Sequence, residues 1–493
     1  MELGETSYLL KMNLGLVNGL RKDDALEFRG IRYAEPPTGS LRFLPPVSAD
    51  AWSGVLDATQ YPNRCSQPPM AYLGETLGAP SEDCLFLNIV TPATEGKGRP
   101  VLFWIHGGAF INGSANDYDG SMLAAQGDVV VVTINYRLGL LGFLDLSTLG
   151  AEFAGSASNG IRDQILALKW VRDHIADFGG DPENVTIFGE SAGGHSVMSL
   201  LASREADGLF HKAIAHSPGT TDRPPPDLIP SLETHLGVDR DKLVAVLRDA
   251  SAEQLLAIQG AVPSVGVGID GNVVTRSTNE AIIEKGVGGV PLIAGTNKDE
   301  GKFFTALYAL ADPDYLPPQE PIARIVTGGA DPTSYIGRLK ALHPTASSAE
   351  IFERIWDGLF RRAAIGGVVS STVAGVGGWL YQFDLPSTEK FLGHDVGAGH
   401  AVEIPFTFNR FNSADPGFAV FYRASDPDVR KLSQHWSDTV IQFAKTGDPN
   451  GAGLPHWPRY DEQSRATMVL DRNSRIESDL NRVERLLWDE HKP

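Results

Sequence analysis

Short runs dominated by apolar residues alternate with helix-like segments through the first half of the chain. The runs VLFWIH (Val101–His106), DVVVVTINYR (Asp128–Arg137) and VTIFG (Val185–Gly189) predict strands buried on both faces. Between the second and third runs, Ile161–Gly179 has apolar residues at helical spacing and ends in glycine, which predicts a helix.

The same alternation continues toward the carboxyl terminus. Glu190–Ser203 is predicted to be a helix, and VPLIAGT (Val290–Thr296) and WLYQFDL (Trp379–Leu385) are predicted to be later strands. Strands that alternate with helices indicate an α/β fold with a large, mostly parallel sheet and helices on both faces. Because no repeat, low-complexity tract or long linker interrupts the 493 residues, we expect a single domain, 1–493.

The segment VTIFGESAGGHSV places a serine at the corner between a strand and a helix. Gly189 and Gly193 flank Ser191 two positions to either side, and their missing side chains relieve the crowding of such a tight turn. The helix that follows directs its N-terminal N–H groups toward the corner. This arrangement is typical of a serine nucleophile, with the N–H of Ala192 placed to stabilise an oxyanion.

A serine hydroxyl needs a general base, and the base needs an acid that orients it. In α/β-hydrolases these partners follow the serine in the order acid, then histidine. NKDEG follows the strand VPLIAGT and offers Glu300, with Asp299 as the alternative. The loop GHDVGAGHAVEIPF offers His400 as the base, with His394 as the alternative.

Two glycine-containing segments suggest ligand loops, and we interpret them differently. HGGAF, His106–Phe110, ends a predicted strand and matches the esterase loop that supplies further oxyanion donors. GVGIDG, Gly266–Gly271, matches the dinucleotide-binding pattern, but the following residues NVVTRST do not begin a helix, so we expect no dinucleotide site.

Charge and cysteine content narrow the possible partners. The net charge of −19 argues against nucleic-acid or anionic-membrane partners, and no apolar run reaches the ~18 residues of a membrane helix. No spacing of histidine, cysteine or carboxylate residues suggests a metal site, so His195 is interpreted as an ordinary helix residue.

From composition, Cys65 and Cys84 are expected to be reduced thiols in a cytoplasmic protein, with a disulfide as the alternative. A secreted protein that has lost its leader would look the same.

The chain resembles the type-B carboxylesterases, the cholinesterase-like branch of the α/β-hydrolases, over nearly its whole length. The resemblance depends on ordered segments, namely FRGIRYAEPPTGSLRF, SEDCLFLNI, WIHGGAF, NYRLGLLGF, FGGDPENVTIFGESAGG, NKDEG, GHAVEIPF and WSDTVIQFAKTGDPN. It implies an α/β-hydrolase fold whose helical insertions form an active-site gorge.

The resemblance also implies roles for individual residues. It assigns Ser191 as nucleophile, Glu300 as acid and His400 as base. It assigns the backbone N–H groups of Gly108, Ala109 and Ala192 as the oxyanion donors. Four further residues are expected to line the substrate site: Gly107, Phe110, Glu190 and Phe303. Cys65 and Cys84 match the first disulfide of the family, and the segment between them lacks the tryptophan with which cholinesterases bind choline.

The sequence therefore predicts a serine carboxylesterase that acts on a small-molecule ester without a cofactor or metal. Hydrolysis of a carbamate, amide or lactone by the same three residues is one alternative. The other, from a different functional class, is a non-catalytic adhesion or binding protein of the cholinesterase-like type. The motifs indicate no particular oligomeric state.

Overall fold

The computed structural model describes residues 6–22, 25–69, 77–96, 98–310, 312, 315–329, 331–413 and 419–489. The chain divides into two compact units by its internal contacts. The first comprises Met1–Lys212 and Thr221–Ala281, and the second comprises Ala213–Thr220 and Ile282–Pro493. No linker or change of composition marks this division in the sequence, and the single domain 1–493 stays a prediction.

The described residues form short strands and helices that alternate along most of the chain. The strands are β1 Thr6–Met12, β2 Gly15–Lys22, β3 Ala25–Arg32, β4 Val55–Asp57, β5 Arg64–Cys65, β6 Pro80–Ser81, β7 Phe86–Thr91, β8 Arg99–Ile105, β9 Val130–Ile134, β10 Gly180–Glu190, β11 Lys212–His216, β12 Leu292–Asn297, β13 Gly378–Phe383, β14 Ala466–Leu470 and β15 Arg475–Ser478. The helices are α1 Ser121–Gly127, α2 Gly139–Phe143, α3 Asn159–His174, α4 Ala192–Ala202, α5 Ile229–Leu236, α6 Arg240–Asp249, α7 Ala252–Ala261, α8 Thr278–Lys285, α9 Glu300–Tyr308, α10 Gln319–Val326, α11 Pro332–Leu342, α12 Ser348–Val373, α13 Ile404–Thr407, α14 Pro427–Thr446 and α15 Arg482–Asp489.

In the first unit the strands follow the order β1-β2-β3-β7-β9-β8-β10, with β4 beside β2. Along this order the pairings from β1 to β9 are antiparallel. The pairings of β4 with β2 and of β8 with both β9 and β10 are parallel. Every residue of β9 is buried, as is every residue of β8 after Arg99. These apolar strands are buried on both faces, as their composition predicts.

In the second unit the strands follow the order β11-β12-β13-β14-β15. The first three pairings are parallel and the last is antiparallel. A separate apolar cluster joins α10, α11, α12 and α15. It contains the buried residues Ala323, Val326, Tyr335, Ile336, Leu339, Ile351, Ile355, Leu359, Phe360, Leu487 and Trp488.

The strands and helices predicted from the apolar pattern form, with ends that differ by up to five residues. The helix predicted over Ile161–Gly179 is α3, which ends at His174 and continues as a short 3-10 turn to Phe178. The strand predicted to begin at Val185 starts earlier, at Gly180. After Gly271 the next helix begins at Thr278, so GVGIDG lacks the adjoining helix that a dinucleotide site needs. None of the helices in the described part of the chain combines the length and the hydropathy of a membrane span.

Candidate active site

The corner that carries the candidate nucleophile is a tight turn in the first unit. Ser191 lies between β10 and α4 with φ 59° and ψ −120°, a conformation that is rare and strained for a residue with a side chain. A strained conformation of this kind is typical of a nucleophile held at a strand-to-helix turn. Its neighbours Glu190 and Ala192 are buried, whereas Ser191 itself is partly exposed.

The two glycines that flank the corner are needed because β8 lies against it. A Cβ on Gly189 would lie 2.6 Å from the carbonyl oxygen of Ile105, at the end of β8. A Cβ on Gly193 would overlap the same oxygen. The spacing of the two glycines thus reflects close packing of the turn against the neighbouring strand.

Gly193→Ala is expected to destabilise the first unit by about 1–3 kcal/mol, because backbone atoms must move to admit the methyl group. The matched control is Gly260→Ala. Gly260 lies in α7, where an added Cβ meets nothing within 4 Å, so this variant should be stabilised by about 0.5–1 kcal/mol. Thermal unfolding of both variants checks the contrast. Equal melting temperatures would contradict this account of the corner.

The HGGAF loop follows β8 and lies against the corner. A Cβ on Gly107 would lie 3.1 Å from the Cβ of Ser191 and 3.0 Å from Oε2 of Glu190. Three consecutive residues of this loop have positive φ angles: Gly108 at 104°, Ala109 at 55° and Phe110 at 61°. Since such angles strain residues other than glycine, the surrounding structure must hold the loop in place.

Hydrogen bonds and ring contacts supply that support. Ile111 and Asn112 both donate their N–H groups to the carbonyl oxygen of Gly108 at 3.0 Å. The carbonyl oxygen of Phe110 accepts the N–H of Gly139 at 2.7 Å, and its ring lies 4.8 Å from that of Phe143. The loop is therefore fixed on both sides of its exposed residue Ala109.

His106, the first residue of the loop, is buried in its neutral form. Its ring stacks on Tyr136 at 4.5 Å, and Tyr136 donates its hydroxyl to the carbonyl oxygen of His106 at 2.8 Å. Burial lowers the pKa of His106 to about 4, and its hydrogen bond with the carbonyl oxygen of Gly107 only partly opposes this effect. Charging the ring therefore costs folding energy.

Acidification is expected to weaken the first unit through His106. Because its pKa in the folded protein lies below the ordinary value of 6.5, the unfolded chain binds more protons between about pH 6.5 and 4, and stability falls as pH falls through this window. Between pH 7.5 and 5.0 the loss should be about 2 kcal/mol smaller in His106→Phe than in wild type. Urea unfolding at both pH values measures this difference. Identical losses in the two proteins would refute it.

The candidate acid and base meet in the second unit. Nδ1 of His400 lies 2.5 Å from Oε2 of Glu300, and both side chains are buried. The other oxygen of Glu300 accepts the N–H of Asn297 at 2.7 Å and the hydroxyl of Ser217 at 2.5 Å. These donors satisfy a buried carboxylate, which would otherwise be costly.

Ser217 and Asn297 were not predicted to take part in the site. Ser217 follows β11 directly, and Asn297 ends the parallel neighbour β12. Polar residues at the carboxyl ends of adjacent parallel strands are a usable signal for a site, and Ser217 in the segment HSPGT, His216–Thr220, is such a residue. Asn297 also donates its amide to the carbonyl oxygen of Gly399 at 2.7 Å, so it binds both the acid and the loop that carries His400.

Aromatic side chains surround the imidazole of His400. Phe360 of α12 stacks on it at 4.7 Å and 22°, and Phe304 lies 4.9 Å away. Phe303, predicted to line the substrate site, lies 5.8 Å from His400 and stacks on Phe391 at 5.0 Å. The imidazole of His400, the candidate base, is therefore packed in a largely apolar environment.

The two alternatives for acid and base have other contacts. The carboxylate of Asp299 accepts the N–H of Ala398 at 3.0 Å and pairs with Lys302 at 3.2 Å. His394 is exposed and closes a turn with Phe391. The geometry within the second unit thus favours Glu300 and His400 over the residues beside them.

Cys65 and Cys84 are joined by a disulfide in the first unit. Composition alone predicted reduced thiols, and that expectation is wrong, whereas the pairing implied by the family resemblance is present. Residues 70–76 of the enclosed segment lie outside the described part of the chain.

His195 lies in α4, as expected, and among the described residues no group of histidine, cysteine and carboxylate side chains could hold a metal ion.

Two curated proteins are similar to this chain over most of its length. Para-nitrobenzyl esterase from Bacillus subtilis (strain 168) is 36% identical over 498 residues, covering 96% of this chain and 97% of the relative. Human cocaine esterase is 37% identical over 469 residues, covering 88% of this chain and 82% of the relative.

A solved structure and a family profile complete the comparison. The carboxylesterase of Geobacillus stearothermophilus at pH 6.2 superimposes with a TM-score of 0.82 at 36% identity, covering 97% of this chain and 99% of the other. This likeness confirms the predicted α/β-hydrolase fold. The profile of the carboxylesterase family matches residues 6–317 and 333–488. The chain belongs to the carboxylesterase family.

Proposed function

We propose that this protein is a serine carboxylesterase in which Ser191 forms an acyl-enzyme with a small ester, assisted by His400 and Glu300. Ester hydrolysis agrees with the carboxylesterase family to which the chain belongs. The roles of the three residues constitute the proposal. One observation supports them above all, namely the buried 2.5 Å contact between His400 Nδ1 and Glu300 Oε2.

That contact defines what each nitrogen of the imidazole does. Because Nδ1 is bonded to a carboxylate, it carries the proton of the neutral ring, and Nε2 acts as the base. Nε2 takes the proton of the Ser191 hydroxyl as its oxygen attacks the ester carbonyl. Glu300 stabilises the imidazolium that results, and Ser217 and Asn297 fix the carboxylate in turn.

The negative charge of the tetrahedral intermediate needs donors that are already in place. In the proposal these are the N–H groups of Gly108, Ala109 and Ala192. Gly107 lies against Ser191, and Ala192 begins α4, whose N-terminal end favours negative charge. His400 then protonates the leaving alcohol. Water, activated by the same imidazole, attacks the acyl-enzyme and releases the carboxylic acid from Ser191.

The surroundings of the base bear on the substrate class. Phe303, Phe304 and Phe360 lie around His400, which favours esters with apolar groups. The Cys65–Cys84 segment lacks tryptophan, so we do not propose choline esters. Two relatives are named esterases for para-nitrobenzyl groups and for cocaine, and both names denote aromatic esters, in agreement with an apolar site.

The disulfide indicates the compartment in which the protein resides. Disulfides persist in oxidising compartments and are rare in the cytosol. The bonded pair Cys65 and Cys84 therefore favours a secreted protein over the cytoplasmic location expected from composition. Thiol labelling of the native protein, without added reductant, distinguishes the two locations, because only reduced cysteines react. A secreted protein with the disulfide should not be labelled, whereas a cytoplasmic protein with reduced Cys65 and Cys84 should be.

A matched panel of esters, amides, carbamates and lactones tests the proposed activity. p-Nitrophenyl butanoate should be hydrolysed rapidly, and an organophosphate should stop turnover by modifying one serine. Hydrolysis of amides, carbamates or lactones without esters would favour the alternative hydrolase. Absence of turnover above a Ser191→Ala control, in folded protein, would favour the non-catalytic binding class.

A further inference from the structure

The buried side chain of Gln67 connects strand β5 with the segment that follows the HGGAF loop. Its Nε2 donates to the carbonyl oxygen of Cys65 and to that of Gly113, both at 2.9 Å. Its Oε1 accepts the N–H of Gly113 at 3.0 Å. Gln67 thus pairs with both backbone groups of Gly113. Because Gln67 is only 4% exposed, water has little access to replace these hydrogen bonds.

Gly113 lies directly against the HGGAF loop. A Cβ on Gly113 would lie 2.6 Å from the carbonyl oxygen of Gly107 and would overlap Nδ1 of His106. The φ angle of Gly113, 111°, also favours glycine. Nδ1 of His106 donates to the carbonyl oxygen of Gly107 at 2.8 Å. The carbonyl group of Gly107 is therefore enclosed between His106 and the backbone that Gln67 holds.

The carbonyl group of Gly107 determines where the N–H of Gly108 points. The two groups belong to one planar peptide and point in opposite directions across it. The N–H of Gly108 is one of the three oxyanion donors in the proposed mechanism. A rotation of this peptide that moves the carbonyl group out of its enclosure would also turn this N–H away from the oxyanion.

The next peptide of the loop is tied to the same support. Asn112, which directly precedes Gly113, donates its N–H to the carbonyl oxygen of Gly108 at 3.0 Å. That carbonyl group shares a peptide with the N–H of Ala109, another of the proposed donors. Gln67 therefore supports the peptides of two donors, through Gly113 and Asn112.

We propose that Gln67 is a positioning residue for ester hydrolysis, which holds the N–H groups of Gly108 and Ala109 in the direction of the oxyanion. This inference rests on the proposed function and deepens it, because it gives a part in the reaction to a side chain from a distant segment. Oxyanion donors stabilise the transition state more than they stabilise the bound substrate. Loss of their alignment should therefore lower kcat and leave KM nearly unchanged.

Gln67→Met tests this role, because methionine has nearly the length of glutamine but cannot pair with Gly113. With p-nitrophenyl butanoate we expect kcat per active site to fall by about 10- to 100-fold, since a small misplacement of reacting groups has effects of this size. KM should stay within about threefold of wild type. Active sites are counted by complete titration with an organophosphate, so that unfolded protein does not contribute. Gln60→Met, at an exposed position before β5, is the matched control and should keep kcat within about twofold.

Two ketones separate positioning from a general effect on the site. 1,1,1-Trifluoro-2-hexanone forms a tetrahedral adduct with a nucleophilic serine and so needs the oxyanion donors, whereas 2-hexanone binds as an unreacted analogue of the substrate. The inhibition constant of the trifluoro ketone should rise by about the factor by which kcat falls, and that of 2-hexanone should stay unchanged. Gln67→Asn is a second variant should the methionine variant not fold. Its amide is too short to keep both hydrogen bonds to Gly113, so it should show the same pattern.

Two results with an active wild-type enzyme would overturn the inference. One is a kcat per active site in a folded Gln67 variant that equals that of the Gln60 control. The other is an inhibition constant for 2-hexanone that rises as much as that for the trifluoro ketone, which would show a general distortion of the site. Folded wild-type protein that neither hydrolyses p-nitrophenyl butanoate nor binds the trifluoro ketone would instead overturn the proposed function, and this inference with it.

Discussion

Ser191→Ala is expected to lower kcat for p-nitrophenyl butanoate by at least about 10⁴-fold. Removing the hydroxyl removes the acyl-enzyme route, and only the oxyanion donors and substrate binding remain to assist direct attack by water. KM should change much less than kcat, because the hydroxyl contributes little to binding the ground state. Steady-state kinetics with a purified, folded variant measures both parameters.

A serine outside the site provides the control for this loss. Ser348 is exposed in the first turn of α12, and Ser348→Ala should retain wild-type kcat within about twofold. Circular dichroism and the melting temperature should show that both variants are folded. If Ser191→Ala kept more than about one tenth of wild-type kcat, the nucleophile would be a different residue.

Glu300→Gln is expected to lower kcat by about 10⁴-fold with little change in overall structure. A glutamine has the shape of the carboxylate, but it carries no charge to stabilise the imidazolium, and its amide favours the wrong tautomer of His400. Ser217 and Asn297, which now donate to one carboxylate oxygen, would direct the amide oxygen toward themselves. The amide nitrogen would then face His400 Nδ1 and donate to it, so the ring proton would lie on Nε2, which could no longer act as the base.

Asp299→Asn is the matched control, since it removes a charge from the adjacent residue. An asparagine can still accept the N–H of Ala398, which Asp299 accepts at 3.0 Å. The variant also loses the ion pair with Lys302, a partly exposed pair of small value. We expect kcat within about tenfold of wild type. Should Asp299→Asn lose more activity than Glu300→Gln, the acid would be misassigned.

The elements of the fold could be predicted because their signals are local. VLFWI is continuously apolar and VVVTI is apolar except for Thr133, and each forms a strand buried on both faces. Helix α3 follows its apolar spacing. The ends of these elements were less accurate, since β10 begins five residues before the apolar run at Val185 and the segment between contains proline and acids that suggest a loop.

The corner at Ser191 was predictable because glycine spacing reports a steric requirement. The structure gives the cause, which is the carbonyl oxygen of Ile105 beside Gly189 and Gly193. Ile105 lies more than eighty residues earlier in the chain. The sequence therefore shows that glycine is needed at these two positions, but it does not show which atom excludes a side chain there.

Contacts between distant segments could not be predicted in the same way. Ser217 meets Glu300 because β11 and β12 pair in parallel, and nothing near Ser217 in sequence indicates that partner. The same holds for the stacking of Phe360 on His400. The pairing of Cys65 with Cys84 was inferred from the family resemblance, since composition favoured free thiols.

Covalent labelling tests the central assignment most directly. The protein is inactivated with a fluorescent organophosphate and digested, and the modified peptide is identified by mass spectrometry. We predict one adduct, on Ser191, formed at a rate that falls by orders of magnitude in His400→Gln and hardly changes in His394→Gln. An adduct on another serine, or labelling that does not depend on His400, would contradict the account.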